Sequence, residues 1–198
     1  MSASNIFAVY QLASVSDLHE GKSWYGNACN IAMNLAIKYS ISHTQAAAVI
    51  AALSPRNKWG RNILDAENLI VAYVAAGVEG CASVKVCTFG NNKAKAIKIL
   101  NTKTTCEQDY IDILSGPKLQ EFYCCIAGYD DEVCIDGHAY SIWSGGRITL
   151  ANIPSIGKKL REKIKDDYRQ AAQEAGLKPY QIQAVTWCVW RRLHGVDT

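Results

Sequence analysis

The sequence predicts an all-α protein, and three observations support this prediction. Apolar residues recur at helical spacing along almost the whole chain. Most of these segments begin at a capping residue or a proline and end at a glycine. Only residues 84–87 and 133–135 resemble strands, and both segments are too short to build a sheet. We therefore expect about nine or ten helices of ordinary length.

The first half of the chain contains four helical regions. Residues 1–40 look helical throughout. Ser42 and Gln45 form a capping box before the apolar run 46–53, which Pro55 ends. The predicted cap of the next helix is Asn57, its stop is Gly77 or Gly80, and the cap of the helix after it is Asn91 or Asn92.

The second half has equally clear helix boundaries. Pro117 suits the first turn of a helix that Gly128 stops. A further helix occupies about 158–175 and ends at Gly176. Pro179 starts the last helix, which continues almost to the end of the chain.

Composition excludes several classes of protein. Hydrophobic residues make up 49% of the 198 positions and charged residues 20%, so the chain is not disordered. No apolar run approaches the roughly 18 residues that a membrane span needs. Residues 1–5 lack the basic start of a secretory signal. We expect a cytoplasmic monomer with no membrane partner.

The chain contains eight cysteines, but they do not predict a disulfide framework. Cytosolic thiols stay reduced, and no C-x-x-C motif occurs. We expect buried, apolar thiols rather than metal ligands, and no cofactor. These residues are Cys29, Cys81, Cys87, Cys106, Cys124, Cys125, Cys134 and Cys188.

The net charge of +3 is too small to indicate nucleic acid by itself. Its distribution is more informative, because basic residues form three clusters. Each cluster alone is typical of a solvated helix face, whereas together they could hold DNA phosphates. The clusters are Arg56, Lys58 and Arg61; Lys93, Lys95 and Lys98; and Lys158, Lys159, Arg161, Lys163 and Lys165.

Lys118 and Asp136 each lie at a predicted helix start, eighteen positions apart. A capping carboxylate is held in its ionised form and can stabilise an oxocarbenium-like sugar. The positive helix end disfavours an ammonium group, which favours the free amine that attacks a sugar carbon. Alone, each residue is more typical of an ordinary cap or an exposed lysine. Together they suggest cleavage of an N-glycosidic bond.

Residues 114–143 resemble the signature of the helix-hairpin-helix DNA glycosylases, the superfamily of endonuclease III. That signature contains Leu-x-Gly, a lysine, a helix, and an apolar tripeptide followed by Asp-x-His. The resemblance places Lys118 on the lyase lysine, Asp136 on the essential aspartate and His138 on the signature histidine. It also implies that the helix start near Gly116 binds a DNA phosphate.

Residues 51–56 resemble the helix of this family that ends in Leu-Ser before a wedge residue. In the family, the wedge fills the gap that a flipped nucleotide leaves in the duplex. The resemblance puts Arg56 in this role, with Asn57 and Lys58 beside it on the DNA.

Residues 84–99 resemble the loop and helix of the family that carry Asn-x-Lys-Ala, which implies DNA contacts by Asn91 and Lys93. Residues 187–195 are similar to the last helix of the family. The resemblance therefore covers roughly residues 42–195, in the order of the family.

Two departures from the family pattern stand out. The family hairpin reads Gly-x-Gly-x-Lys, but here it is shortened to Gly116-Pro117-Lys118. Pro117 also has no N–H to donate to a phosphate. The iron–sulfur loop is also absent, because Cys188 is the only cysteine after Asp136 and a cluster needs four thiolates. A compact variant of this kind would suit a bacteriophage or a mobile element.

The resemblance implies a two-lobed helical bundle that forms one globular unit. Residues 1–40 plus 137–198 would form one lobe, and residues 41–136 the lobe with the shortened hairpin. The expected function is a DNA glycosylase with AP lyase activity, acting on double-stranded DNA with a damaged or modified base in a bacterial or phage-infected cell. Two alternatives remain open: an enzyme of phage-type DNA base hypermodification, and a non-catalytic DNA-binding module.

Overall fold

The computed structural model describes residues 2–104 and 106–196 of the chain. Within these ranges the protein is all-α, as predicted: it has ten α-helices, one 3-10 helix at Leu150–Asn152 and no strand. The segments that resembled strands are connections between helices. The α-helices are α1 Ser2–Gln11, α2 Val15–Tyr39, α3 His43–Leu53, α4 Trp59–Gly80, α5 Gly90–Asn101, α6 Glu107–Leu114, α7 Pro117–Ala127, α8 Gly137–Ser144, α9 Lys158–Ala175 and α10 Pro179–His194.

The helices divide into two compact units. The first contains the described parts of 1–27 and 128–197, and the second contains residues 28–127. These boundaries differ from the division into 1–40 plus 137–198 and 41–136 that the sequence suggested. The difference arises because α2 continues without a break past residue 27, so the boundary between the units falls inside a helix.

In the first unit, α1, α8 and α10 pack on α9 and on one another. Its core includes Ile135 and Ala139, which flank Asp136 on both sides. Gly21 on α2 lies so close to α10 that an added Cβ would come within 2.4 Å of the Val185 backbone. The start of α8 is therefore anchored by buried neighbours of Asp136 in this core.

In the second unit, α3 is the central helix. All residues from 46 to 53 are fully buried, because α4, α5, α6 and α7 all pack on α3. A short helix that is apolar on every side needs such a cover. The connections around α3 carry the residues discussed below.

Several predicted helix ends are confirmed. The Ser42 hydroxyl accepts a hydrogen bond from the Gln45 backbone N–H at 3.0 Å. Pro117 and Pro179 begin α7 and α10. Gly176 follows α9 in the left-handed region, with φ at +65°. Each of these signals depends only on neighbours in the sequence.

Two predicted caps are wrong. The capping position of α4 is Lys58, and the side chain of Asn57 instead bonds within the loop and to Asp65. The capping position of α5 is Phe89, so Asn91 and Asn92 lie inside the first turn. Neither Lys58 nor Phe89 makes a side-chain capping hydrogen bond. Hydrogen bonds to other segments hold the loops before α4 and α5 instead.

The cysteines are all free thiols, and their surroundings differ. Five are buried, as expected: Cys81, Cys124, Cys125, Cys134 and Cys188. The expectation is wrong for Cys87 and Cys106, which are exposed, while Cys29 is half-buried. In the described parts of the chain, no helix combines the length and the apolar character needed to cross a membrane.

Candidate active site

Lys118 follows a tight connection between α6 and α7. The connection consists of Ser115, with φ at +43°, and Gly116, with φ at +137°. Lys95 stabilises it by donating from Nζ to the carbonyl oxygens of Leu114 at 2.7 Å and Ser115 at 3.4 Å. Sequence reasoning assigned Lys95 only to a basic cluster, whereas the structure gives it a role in shaping this turn.

The side chain of Lys118 is exposed on the first turn of α7. Phe122 lies one helical turn further along the same face. Its ring contacts Trp59 at a centroid distance of 6.4 Å and an angle of 80°. Because Trp59 is the first residue of α4, this contact joins the start of α4 to the face of α7 that carries Lys118.

Asp136 caps α8, as the sequence predicts. Its Oδ1 accepts a hydrogen bond from the Ala139 backbone N–H at 2.8 Å, and the residue is half-buried. The next residue, Gly137, lies against the side chain of Leu150, because an added Cβ would come within 2.7 Å of Leu150 Cδ2. The carboxylate is therefore held in one orientation at the positive end of α8.

Two buried cations on α9 support the segment that leads to Asp136. Arg161 Nη1 donates to the carbonyl oxygen of Ile135 at 3.0 Å, and Lys165 Nζ pairs with Glu132 at 2.7 Å. Arg161 and Lys165 are only 9% and 7% exposed. Their assignment to a phosphate-holding cluster is therefore wrong, because these side chains turn inward to the Ile135 carbonyl oxygen and the Glu132 carboxylate.

Tyr168 on α9 stabilises the first turn of α8. Its hydroxyl donates to the Ala139 carbonyl oxygen at 3.2 Å, and the side chain is fully buried. Burial, and after it the negative charge of Asp136, raises the pKa of Tyr168 far above its ordinary value. The phenol therefore stays protonated and remains a hydrogen-bond donor.

The connection between α3 and α4 presents Arg56 to solvent. Arg56 adopts the left-handed backbone region, with φ at +54°. Its guanidinium lies 5.2 Å from the centre of the Phe89 ring, which is 53% exposed. The two loops are also joined by the Thr88 hydroxyl, which donates to the Pro55 carbonyl oxygen at 2.9 Å. Sequence reasoning found Arg56 but missed Phe89.

A fully buried carboxylate, Asp65, connects these two loops. Its Oδ2 accepts hydrogen bonds from Asn57 Nδ2 at 3.0 Å and from the Cys87 backbone N–H at 2.7 Å. Its Oδ1 accepts one from Arg61 Nε at 2.7 Å, and this bond raises the pKa of Arg61. Nothing in the sequence singles out Asp65, since it looks like one more charge on an amphipathic helix.

The remaining residues that were predicted to contact DNA differ in exposure and in their hydrogen bonds. Lys58 and Asn91 are exposed. Lys93 donates from Nζ to the Ala82 carbonyl oxygen at 2.9 Å, so its ammonium group already makes a hydrogen bond within the protein. Gly116 has open space where a Cβ would be. His138 is half-buried and makes no side-chain hydrogen bond within residues 2–104 and 106–196.

The predicted site residues are distributed over both units. The first unit carries Asp136 and His138. The second unit carries Arg56, Asn57, Lys58, Asn91, Lys93, Gly116 and Lys118. Within the second unit, the α3–α4 loop and Phe89 form one exposed cation–aromatic surface. The Trp59–Phe122 contact links the start of α4 to the helix of Lys118.

The model of a family described as "Family of unknown function (DUF7178)" matches residues 1–194. No curated protein and no solved structure matches the chain significantly.

Proposed function

We propose that this chain, which belongs to the family of unknown function DUF7178, is a DNA glycosylase with AP lyase activity. It would extrude a damaged or modified base from a duplex and cleave the N-glycosidic bond. The observation that carries the proposal is the spacing of two helix starts along the chain. Lys118 is the second residue of α7, after the turn of Ser115 and Gly116. Asp136 caps α8 eighteen positions later, which is the interval of the endonuclease III-like glycosylases that the sequence resembles.

Asp136 supplies the carboxylate that this reaction needs. As the bond to the base lengthens, positive charge develops on the sugar carbon and ring oxygen. An anion that is fixed beforehand stabilises this charge without having to reorganise. The hydrogen bond to the Ala139 N–H and the supports from Arg161 and Tyr168 keep Asp136 in place. A protonated or mobile carboxyl group could not do this.

Lys118 supplies the nucleophile. The free amine at Nζ forms a bond to C1′, while the bond between C1′ and the base breaks and the base leaves with the electron pair. The departing base takes up a proton, and the attacking nitrogen loses one. Opening of the sugar ring then gives a Schiff base between Lys118 and the sugar. The exposure of Lys118 on a first helical turn makes its amine reachable for a sugar outside the duplex.

Arg56 and Phe89 supply the groups that open the duplex. Extrusion of a base costs a few kcal/mol, and a side chain that enters the gap offsets part of this cost. The guanidinium can fill the gap and pair with a phosphate, while the exposed ring can stack on a neighbouring base. Because Asp65 connects both loops, the two groups approach the duplex as one rigid surface.

Base release from modified duplexes tests this proposal. Wild-type protein should release free base from at least one member of a panel of duplexes, each with one damaged or modified base. Asp136→Asn keeps the cap but removes the charge, so it should slow release about a hundredfold. Binding without release of any base would overturn the proposal and favour the non-catalytic module.

A second candidate is an enzyme that alters a base without removing it, as in phage-type hypermodification. The shortened turn between α6 and α7 favours it. This turn has only two residues, and the following Pro117 offers no N–H to a phosphate. Lys95 also binds the carbonyl oxygens of the turn. Mass spectrometry of the nucleosides after reaction separates the two. A changed base still attached to its sugar would support this second candidate and contradict glycosylase action.

A further inference from the structure

A thiol and an imidazole lie side by side in the second unit. Cys29 Sγ on α2 is 3.5 Å from Nε2 of His43, within hydrogen-bonding distance for sulfur. His43 is the first residue of α3, directly after the capping residue Ser42. Both side chains are half-buried, so each keeps some contact with solvent.

The surroundings of Cys29 differ from those of the buried thiols. Burial raises the pKa of Cys81, and it raises the pKa of Cys188 to about 12. Such thiols stay protonated and unreactive. Cys29 combines partial access with an adjacent imidazole, whose Nε2 lies close enough to accept the thiol proton while the sulfur reacts.

We propose that Cys29 and His43 form a reactive thiol site that exchanges with small disulfides and carries a covalent mixed disulfide. The proton of the Cys29 thiol moves to His43 Nε2, and the sulfur attacks one sulfur of the incoming disulfide. A new S–S bond forms while the original one breaks. The leaving thiolate then takes the proton from the imidazolium. A free thiol reverses the modification by the same exchange.

The reaction with an aromatic disulfide such as Ellman's reagent tests this site. In a protein with Cys87→Ser and Cys106→Ser, Cys29 is the accessible thiol that remains. It should react faster than Cys106 does in the matched protein with Cys29→Ser and Cys87→Ser, although Cys106 is more exposed. Mass spectrometry of peptides should place the adduct on Cys29.

Replacement of the imidazole separates activation from access. His43→Gln in the same background keeps a polar side chain but provides no base, so it should slow the reaction of Cys29 about tenfold. The reaction of Cys106 in its own background should not change with His43→Gln. Circular dichroism of each variant establishes that the helices are retained. A Cys29 rate below that of Cys106, or a rate insensitive to His43→Gln, would overturn the proposal.

Discussion

The guanidinium of Arg56 lies 5.2 Å from the centre of the Phe89 ring, and both groups face solvent. Arg56 lies in the loop between α3 and α4, and Phe89 lies in the loop before α5. Arg56 also holds a left-handed backbone conformation, which costs roughly 1 kcal/mol for a residue with a Cβ. Backbone strain of this kind is common at functional sites, which makes the exposed Arg56 a candidate for a functional role.

Substitution of Arg56 should separate stability from DNA distortion. Glycine adopts φ near +54° without strain, so Arg56→Gly should be roughly 1 kcal/mol more stable than Arg56→Ala in urea unfolding. Both variants should lose base extrusion, measured by the fluorescence of 2-aminopurine in a duplex. Extrusion by Arg56→Gly at the wild-type level would show that the side chain does not enter the DNA.

Asp65 should matter more for stability than a less buried acid on the same helix. Asp65→Ala leaves Asn57 Nδ2 and the Cys87 N–H without their acceptor, which should cost about 3 kcal/mol in urea unfolding. The control is Glu67→Gln on α4: this half-buried acid pairs with the exposed Lys38, and glutamine keeps an acceptor for the Tyr39 hydroxyl, so the loss should stay below about 1 kcal/mol. Equal losses in the two variants would contradict this role of Asp65.

Arg161 should support the Asp136 turn, unlike a neighbouring arginine at the surface. Arg161→Met keeps the bulk of the side chain but leaves the buried Ile135 carbonyl without this donor, which should cost about 2 kcal/mol and slow base release. Arg169→Met on the same helix removes bonds to the exposed Asp131 and Asp166, and its loss should stay below about 1 kcal/mol. A small effect of Arg161→Met on both readouts would contradict this assignment.

Asp17 should give the first unit an acid-sensitive contribution to stability. Burial raises the pKa of Asp17, but hydrogen bonds from Arg192 and from the backbone and hydroxyl of Ser14 outweigh it and lower the pKa below 3.8. Because the folded-state pKa is depressed, this stabilisation is complete above pH 3.8 and is lost as the pH falls through the folded pKa.

The difference in thermal stability between wild type and Asp17→Asn isolates this contribution from the other carboxylates. Wild type should be more stable than Asp17→Asn at neutral pH, and the gap should shrink below about pH 4. A gap that stays constant across this range would show that the charge of Asp17 does not stabilise the fold.

Local chemistry explains which features the sequence reveals. Ser42, Asp136 and Gly176 act on backbone groups within a few residues, so their roles as helix ends follow from the chain alone. Asn57 looks equally suitable as a cap, but Asp65 binds its amide from the following helix. Such competition between a local and a tertiary partner cannot be decided from neighbours in the sequence.

The residues that position the candidate site could not be predicted from the sequence, for the same reason. Asp65, Phe89 and Arg161 act through segments far from them along the chain. A charged residue on a polar helix predicts a solvated face, and only the packing of α9 shows that Arg161 turns inward. Candidate reacting groups could therefore be proposed from the sequence, but the residues that position them could not.

Borohydride trapping on a duplex with one abasic site tests the central role of Lys118 most directly. Reduction of a Schiff base gives a stable protein–DNA adduct, and peptide mapping should place it on Lys118. Lys118→Ala should abolish the adduct, whereas Lys98→Ala, at another exposed lysine of the same unit, should leave it unchanged. An adduct that persists in Lys118→Ala, or its absence from wild-type protein, would contradict the account.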